Sequence, residues 1–315
     1  MAYVHYGVER GRVASGRVPL DDIPADLVGG IDIKGVRAGF LRACRVPAGT
    51  ATFIDNLRWL SDVRAYAEAA EYWTQERCSE SGDVRGPVTD PSYLRHLQQL
   101  KDWTVCYEVG VSTVIALNRY FAVYKTADAS RSIVDCASFS KALRKTCHVE
   151  PVRLPTIPDL LERLGRVIRT AYRSKEKYGI LLSDLRHFFH QIPLEDDVKR
   201  YFAVRLKNVA YVWNVLPMGH TVSPLVAQTI SYAILLQCGF KAEGGLAQLP
   251  SFATRPGGVA AVWYDNLIAA GTIIAMNDTK NRWEQLAGKY NARLKYSTLF
   301  TGAALSPDLP VLNVK

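Results

Sequence analysis

Three short stretches combine residue types suited to metal and phosphate chemistry. In "LLSDLRHFFHQIPL" an aspartate, Asp184, directly follows an apolar run. A carboxylate projected from a strand end is well suited to hold a hard cation, which takes oxygen ligands. In "VWYDNLIAA" the pair Asp265 and Asn266 lies between two apolar runs, as at the tip of a hairpin, where Asx side chains are at home. In "WNVLPMGHTVSPLVAQ" Pro217, Gly219 and Pro224 shape a turn into a helix, and a glycine there lets backbone pass close to a phosphate. Taken singly, each has a plainer meaning: an aspartate that ends a strand, a hairpin turn, a strand-to-helix connection. Asp184 and Asp265 are 81 positions apart, so only the fold can make them cooperate.

The elements that must position these residues follow from pattern. "YGILLSDL" reads as a strand, "YFAVRL" and "VAYVWNVL" as a strand pair, and "STVIALNRYFAVYK" and "SRSIVDC" as strands around a polar turn. "SPLVAQTISYAILLQ" reads as a helix with Ser223 as N-cap and Pro224 at the first helical position. Residues 241–258 form a loop before the hairpin, and Trp283, Leu286 and Tyr290 mark an amphipathic helix after it. Upstream, Leu60 to Arg77 and Ser92 to Trp103 are helical, with Leu94, Leu97 and Leu100 on one face of the second. "CSESGDVRGPVTDP" between them is a linker by composition, and the first fifty residues are loop-rich. The expected fold is α+β, with a small antiparallel sheet backed by helices.

A chain of 315 residues can divide into two lobes, and 48% hydrophobic with 22% charged residues is an ordinary globular balance. The formal charge of +9, spread along the chain, favours polyanionic partners, nucleic acid first. Cys44, Cys78, Cys106, Cys136, Cys147 and Cys238 show no paired spacing, so they are expected as free thiols in a reducing compartment. "MAYVHYGVERGRV" lacks the apolar run of a secretory signal, and Val222 to Phe240 is interrupted by polar residues and a proline. An intracellular protein with no membrane partner is expected.

In order, the stretches resemble motifs of the reverse transcriptase family. "SDLRHFFHQIPL" resembles the first palm motif, "NVLPMGHTVSPLVAQ" the Leu-Pro-Gln-Gly and Ser-Pro motif, and "WYDNLIAAG" the Tyr-x-Asp-Asp hairpin. "NRYFAVYKTADASRSIVDCASFSKAL" is similar to the fingers segment, and "LFTGAAL" faintly to the primer grip. The resemblance covers about Ser92 to Leu305, and its Leu-Pro-x-Gly form is closer to long-terminal-repeat or tyrosine-recombinase retroelements. It implies an extension over 1–91, a fingers-like region over 92–183 and a palm-like region over 184–315, with no thumb or RNase H.

The activity implied is RNA-directed DNA synthesis by two-metal phosphoryl transfer. By motif position Asp184 and Asp265 would hold Mg2+ or Mn2+, with Asn266 completing the catalytic set. Lys125 and Arg131 would hold the incoming triphosphate, Phe189 would exclude a ribose 2′-hydroxyl, and Met218, Gly219 and Gln228 would lie around the nucleotide. The implied partners are an RNA or DNA template with its primer, and deoxynucleoside triphosphates. Three positions depart from the family pattern: Asn266 for the second hairpin aspartate, Met218 for Gln, and Trp263 for Tyr. An amide brings no charge, so weaker metal binding is expected. Two readings stay open: an active polymerase, and a degenerate relative that binds nucleic acid without turnover.

Overall fold

A computed structural model describes residues 12–79 and 92–301. Most of "MAYVHYGVERGRV" and of the linker stretch, and part of "LFTGAAL", lie outside the described residues. The strands are β1 (Val13–Ala14), β2 (Cys106–Gly110), β3 (Leu117–Tyr124), β4 (Ser130–Asp135), β5 (Tyr178–Leu185), β6 (Ala203–Leu206), β7 (Val209–Trp213), β8 (Lys241–Ala242), β9 (Ala253–Arg255), β10 (Gly258–Trp263), β11 (Asn266–Thr272) and β12 (Leu294–Thr301). The helices are α1 (Ile33–Ala43), α2 (Val63–Ser79), α3 (Tyr93–Asp102), α4 (Ala137–Thr146), α5 (Ile157–Arg173), α6 (Phe188–Gln191), α7 (Asp196–Lys199), α8 (Ser223–Gln237) and α9 (Ile273–Lys289).

The fold is α+β, and the chain forms two compact units of three segments each: Met1–Gly30, Arg58–Glu150 and Phe189–Pro224, and Ile31–Leu57, Pro151–Phe188 and Leu225–Lys315. Neither unit is a contiguous stretch such as 92–183 or 184–315. The cause is long-range strand pairing: β3 pairs with β6 in the first unit, and β5 with β12 in the second.

In the first unit the described strands form a six-stranded sheet, ordered β1-β3-β6-β7-β2 with β4 on β3. The β3–β4 hairpin is antiparallel with Val123 opposite Arg131, while β3 and β6 run parallel. Beside the sheet, Tyr66, Phe139, Tyr201 and Phe202 stack and cross within 6.4 Å, centroid to centroid. Large side chains buried this fully contribute about 1.5–3 kcal/mol each. In α3, Leu97 and Leu100 are buried but Leu94 is 43% exposed. His96 takes the inward place instead, its Nε2 2.6 Å from the Val18 carbonyl oxygen.

The second unit contains a six-stranded antiparallel sheet in the order β12-β5-β11-β10-β9-β8, backed by helices as expected. Helix α5 covers one face, where Leu160 and Leu164 pack on Ile180, Leu182, Ile268 and Ala270. Helix α9 lies on the other face, and its Trp283 Nε1 donates to Ser183 Oγ at 3.0 Å. The unit also contains α1, within the stretch expected as loop, where Asp32 caps the helix by accepting from the Gly35 N–H at 2.8 Å. Among the described residues no helix is long and apolar enough to cross a membrane.

Candidate functional site

Strand β5 lies between β12 and β11, and apolar residues cover both its faces, which is why it reads as a continuous apolar run. Asp184 is its penultimate residue. Opposite it stand Asn266 on β11 and Tyr296 on β12, and Asn266 is paired in turn with Trp263 on β10. Tyr296, Asp184, Asn266 and Trp263 therefore form one cross-strand row on one face of the sheet, with neighbouring Cβ atoms about 5 Å apart.

The hairpin does not turn at Asp265–Asn266. Trp263 pairs with Asn266, so the two-residue tip is Tyr264–Asp265 and Asn266 begins β11. Tyr264 takes the left-handed conformation, φ 51°, which is unfavourable for a bulky residue. Helix α8 holds it there. Gln228 is fully buried; its Nε2 donates to the Val262 carbonyl and its Oε1 accepts from the Tyr264 N–H, both at 2.7 Å. One turn further on, the Ser231 hydroxyl donates to the Tyr264 carbonyl. Gln228 thus commits both ends of its amide to the hairpin tip. Ser231 was not foreseen, although its three-residue spacing from Gln228 puts both on one helix face.

The tip brings the aspartates to one corner of the second unit. The Leu185 N–H donates to the Asp265 carbonyl at 2.9 Å, and Asn266 Nδ2 donates to Asp265 Oδ1 at 2.8 Å. Asn266 consequently stands beside Asp184 across the strands and is bonded to Asp265 through its side chain. A further residue joins them: Lys295 Nζ is 3.9 Å from Asp184 Oδ2. The pairing of β12 with β5 is irregular between Leu294 and Tyr296, and Lys295 is the extra residue. No residue-type signal marks such a bulge. With Lys295 57% exposed, solvent screens most of this attraction. Among the described residues there is no group of three or more His, Cys, Asp and Glu that could hold a metal ion. The site offers two carboxylates and an amide oxygen.

The remaining expected residues lie in the first unit. Lys125 and Arg131 share one face of the β3–β4 hairpin, because Val123 is opposite Arg131 and Lys125 is two residues on. Arg131 is exposed, and Lys125 forms an ion pair with Asp21. Met218 and Gly219 lie against β4, the strand that carries Arg131: the Val134 N–H donates to the Met218 carbonyl at 3.0 Å. Gly219 has φ 111°, and a Cβ there would strike the Val134 carbonyl oxygen, so this turn needs glycine for its own packing. Phe189, half-buried, lies in the one-turn helix α6. Ser223 is the first helical residue of α8 rather than its cap, and among the described residues its buried hydroxyl has no partner.

His220, next in the same motif, is buried beside Phe202, Tyr66 and Phe139, at 4.8, 5.9 and 6.1 Å between ring centroids. Among the described residues neither ring nitrogen has a hydrogen-bond partner. Burial, with Arg144 adding a smaller effect, pushes it down from 6.5 to about 3.

Residues 123–240 match the model of the reverse transcriptase (RNA-dependent DNA polymerase) family. That span contains all the expected site residues except the hairpin pair Asp265 and Asn266. A crystal structure of a prototype foamy virus protease–reverse transcriptase mutant is similar at 16% identity and TM-score 0.45, over 67% of this chain and 24% of that one. A foamy viral protease–reverse transcriptase in complex with double-stranded DNA is similar at 14% identity and TM-score 0.48, over 89% of this chain and 46% of that one. This chain thus spans about a quarter and just under half of the two. No curated protein matches it in sequence.

Proposed function

We propose, from the reverse-transcriptase-family segment at 123–240, that the chain is an RNA-directed DNA polymerase of a retroelement, of the long-terminal-repeat or tyrosine-recombinase-like type. It adds deoxynucleotides to a primer. The observation that carries this reading is the cross-strand register that sets Asp184 beside Asn266, and through Asn266 beside Asp265, from positions 81 residues apart.

Two carboxylates and an amide oxygen are hard donors, and their chemistry fits Mg2+ or Mn2+. Asp184 and Asp265 would hold the ion, with the Asn266 side-chain oxygen as a neutral third ligand. When bound, divalent ions activate the primer hydroxyl and neutralise charge on the nucleotide phosphates. The chain's own residues orient the reactants. Exposed Arg131 would offer a rigid fork to the triphosphate, Lys125 would add its charge on leaving Asp21, and Phe189 would occlude a 2′-hydroxyl. Gln228 and Ser231 position the hairpin that carries Asp265.

A second reading has its own support. Asn266 spends its amide on Asp265, and among the described residues the site has no third carboxylate. A site so poor in charge suits a relative that binds template and primer without turnover. Addition of a single deoxynucleotide to a DNA primer on an RNA template, in Mg2+ and separately in Mn2+, separates the two. Incorporation by the wild type that vanishes in Asp184→Asn supports the polymerase. A silent wild type beside an active Asn266→Asp supports the degenerate site.

A further inference from the structure

We infer that the exposed face of α5 is a second nucleic-acid contact, a track for the phosphate backbone of the duplex leaving the site. This rests on the polymerase reading above. Arg166, Arg169 and Arg173 recur at helical spacing and are all exposed, and exposed Lys175 and Lys177 follow in the link to β5. Glu162 pairs with Arg166 at 2.6 Å. Arg169, Arg173, Lys175 and Lys177 have no carboxylate partner among the described residues. Tyr172, 78% exposed, stands within the row.

The place of this row in the second unit gives it meaning. Leu160 and Leu164 seat α5 on Ile180 and Leu182. Side chains alternate along β5, so Asp184 shares the face that α5 covers. Helix α5 enters β5 through residues 174–177, at the end of the strand away from Asp184. From Tyr178 to Asp184 the strand covers about 20 Å at ~3.3 Å per residue. Helix α5 fills that face, so a duplex beside the site runs over the outward side of the helix, and the distance corresponds to about six base steps at ~3.4 Å each. The row from Arg166 to Arg173 spans about 10 Å, or about three phosphates of one strand. Five exposed cations, Arg166, Arg169, Arg173, Lys175 and Lys177, stand against exposed Asp159, Glu162 and Glu176, so the stretch keeps a net positive charge. Cations facing outward beside the catalytic face complement a polyanion.

The test measures binding of the full chain to primer–template duplexes of about 4 to about 12 base pairs, between roughly 50 and roughly 200 mM salt. Wild type is compared with Arg166→Gln/Arg169→Gln/Arg173→Gln and with the matching triple Arg→Lys variant. Thermal melting of each confirms that it is folded. The expected wild-type affinity rises beyond about six base pairs. The Gln variant loses that rise, and its salt slope falls by about 0.9 per lost phosphate contact, making its binding roughly fortyfold less sensitive over this salt range. The Lys variant keeps both. Equal length dependence and salt slope in wild type and Gln variant would overturn the track; single-nucleotide addition by that variant then leaves the polymerase reading standing. A loss in the Gln variant confined to vesicles containing phosphatidylserine would also overturn it, by showing a membrane contact. A folded wild type that binds no duplex overturns the track and the polymerase reading together.

Discussion

Asn266→Asp tests whether the corner of the second unit is one electrostatic cluster. In the wild type Asn266 Nδ2 donates to Asp265 Oδ1 at 2.8 Å, and Asn266 stands directly across from Asp184. The substitution removes a hydrogen bond to a carboxylate, worth about 1.5–3 kcal/mol. It also sets a second charge about 5 Å from Asp184, a repulsion of roughly 3 kcal/mol at an effective dielectric of ~20, partly offset by solvent and Lys295. A net loss of about 2–4 kcal/mol is expected in chelator. Divalent cation reverses it, since three clustered carboxylates bind Mn2+ more tightly than two, and an ion at a hundred times its Kd stabilises by about 2.7 kcal/mol. The assay is urea unfolding followed by tryptophan fluorescence, in EDTA and in millimolar Mn2+. The expected result is a midpoint well below wild type in EDTA that recovers in Mn2+, while the wild type shifts less. If the variant is as stable as wild type in EDTA, or Mn2+ shifts both equally, Asp184, position 266 and Asp265 do not share an ion site.

Two further substitutions probe what surrounds the motifs. Gln228→Leu keeps the bulk but leaves the Val262 carbonyl and the Tyr264 N–H unpaired, costing about 2–4 kcal/mol; the Tyr264 amide should exchange much faster, and unchanged protection there would show that Gln228 does not hold the tip. His220→Leu removes a group whose folded value, about 3, lies below its ordinary 6.5. The unfolded chain therefore binds that proton first, so the stability gained from a neutral buried His220 is full above about pH 6.5 and is lost as the pH falls toward 3. His220→Leu should flatten the acid limb of urea midpoint against pH over that window, and an unchanged slope would place the acid sensitivity elsewhere.

What the sequence discloses depends on whether local or distant groups set the geometry. The run "YGILLSDL" matches β5 residue for residue, because a strand buried on both faces leaves an unbroken apolar signature. The β3–β4 pair is legible for another reason, β-branched and aromatic residues that alternate between buried and more exposed around a polar turn, and the β6–β7 pair for its short apolar runs. Helix α5 carries a readable signal in Thr156 as cap with Leu160 and Leu164 one turn apart. Helix α1 had less to read: Gly35 and Gly39 weaken its propensity and only a short apolar stripe marks it. Sequence distance concealed Lys295 and the interleaving of the two units.

The register of the hairpin is where local chemistry misleads. Asn and Asp tolerate positive φ far better than Tyr, so a tip at Asp265–Asn266 is the natural expectation. Tyr264 takes the left-handed position instead, because Gln228 and Ser231 on α8 bond the backbone on both sides of it. The one-residue difference decides the chemistry available. A turn at Asp265–Asn266 would leave Asn266 outside the ladder. Turning one residue earlier makes Asn266 the first residue of β11, directly opposite Asp184, with its amide in reach of Asp265. An asparagine at that point bonds Asp265 and stands opposite Asp184 without adding a third negative charge, so the neutral amide that stabilises the metal-free corner also leaves it less charge for cations. Stability without metal and affinity for metal are therefore expected to change in opposite directions at position 266.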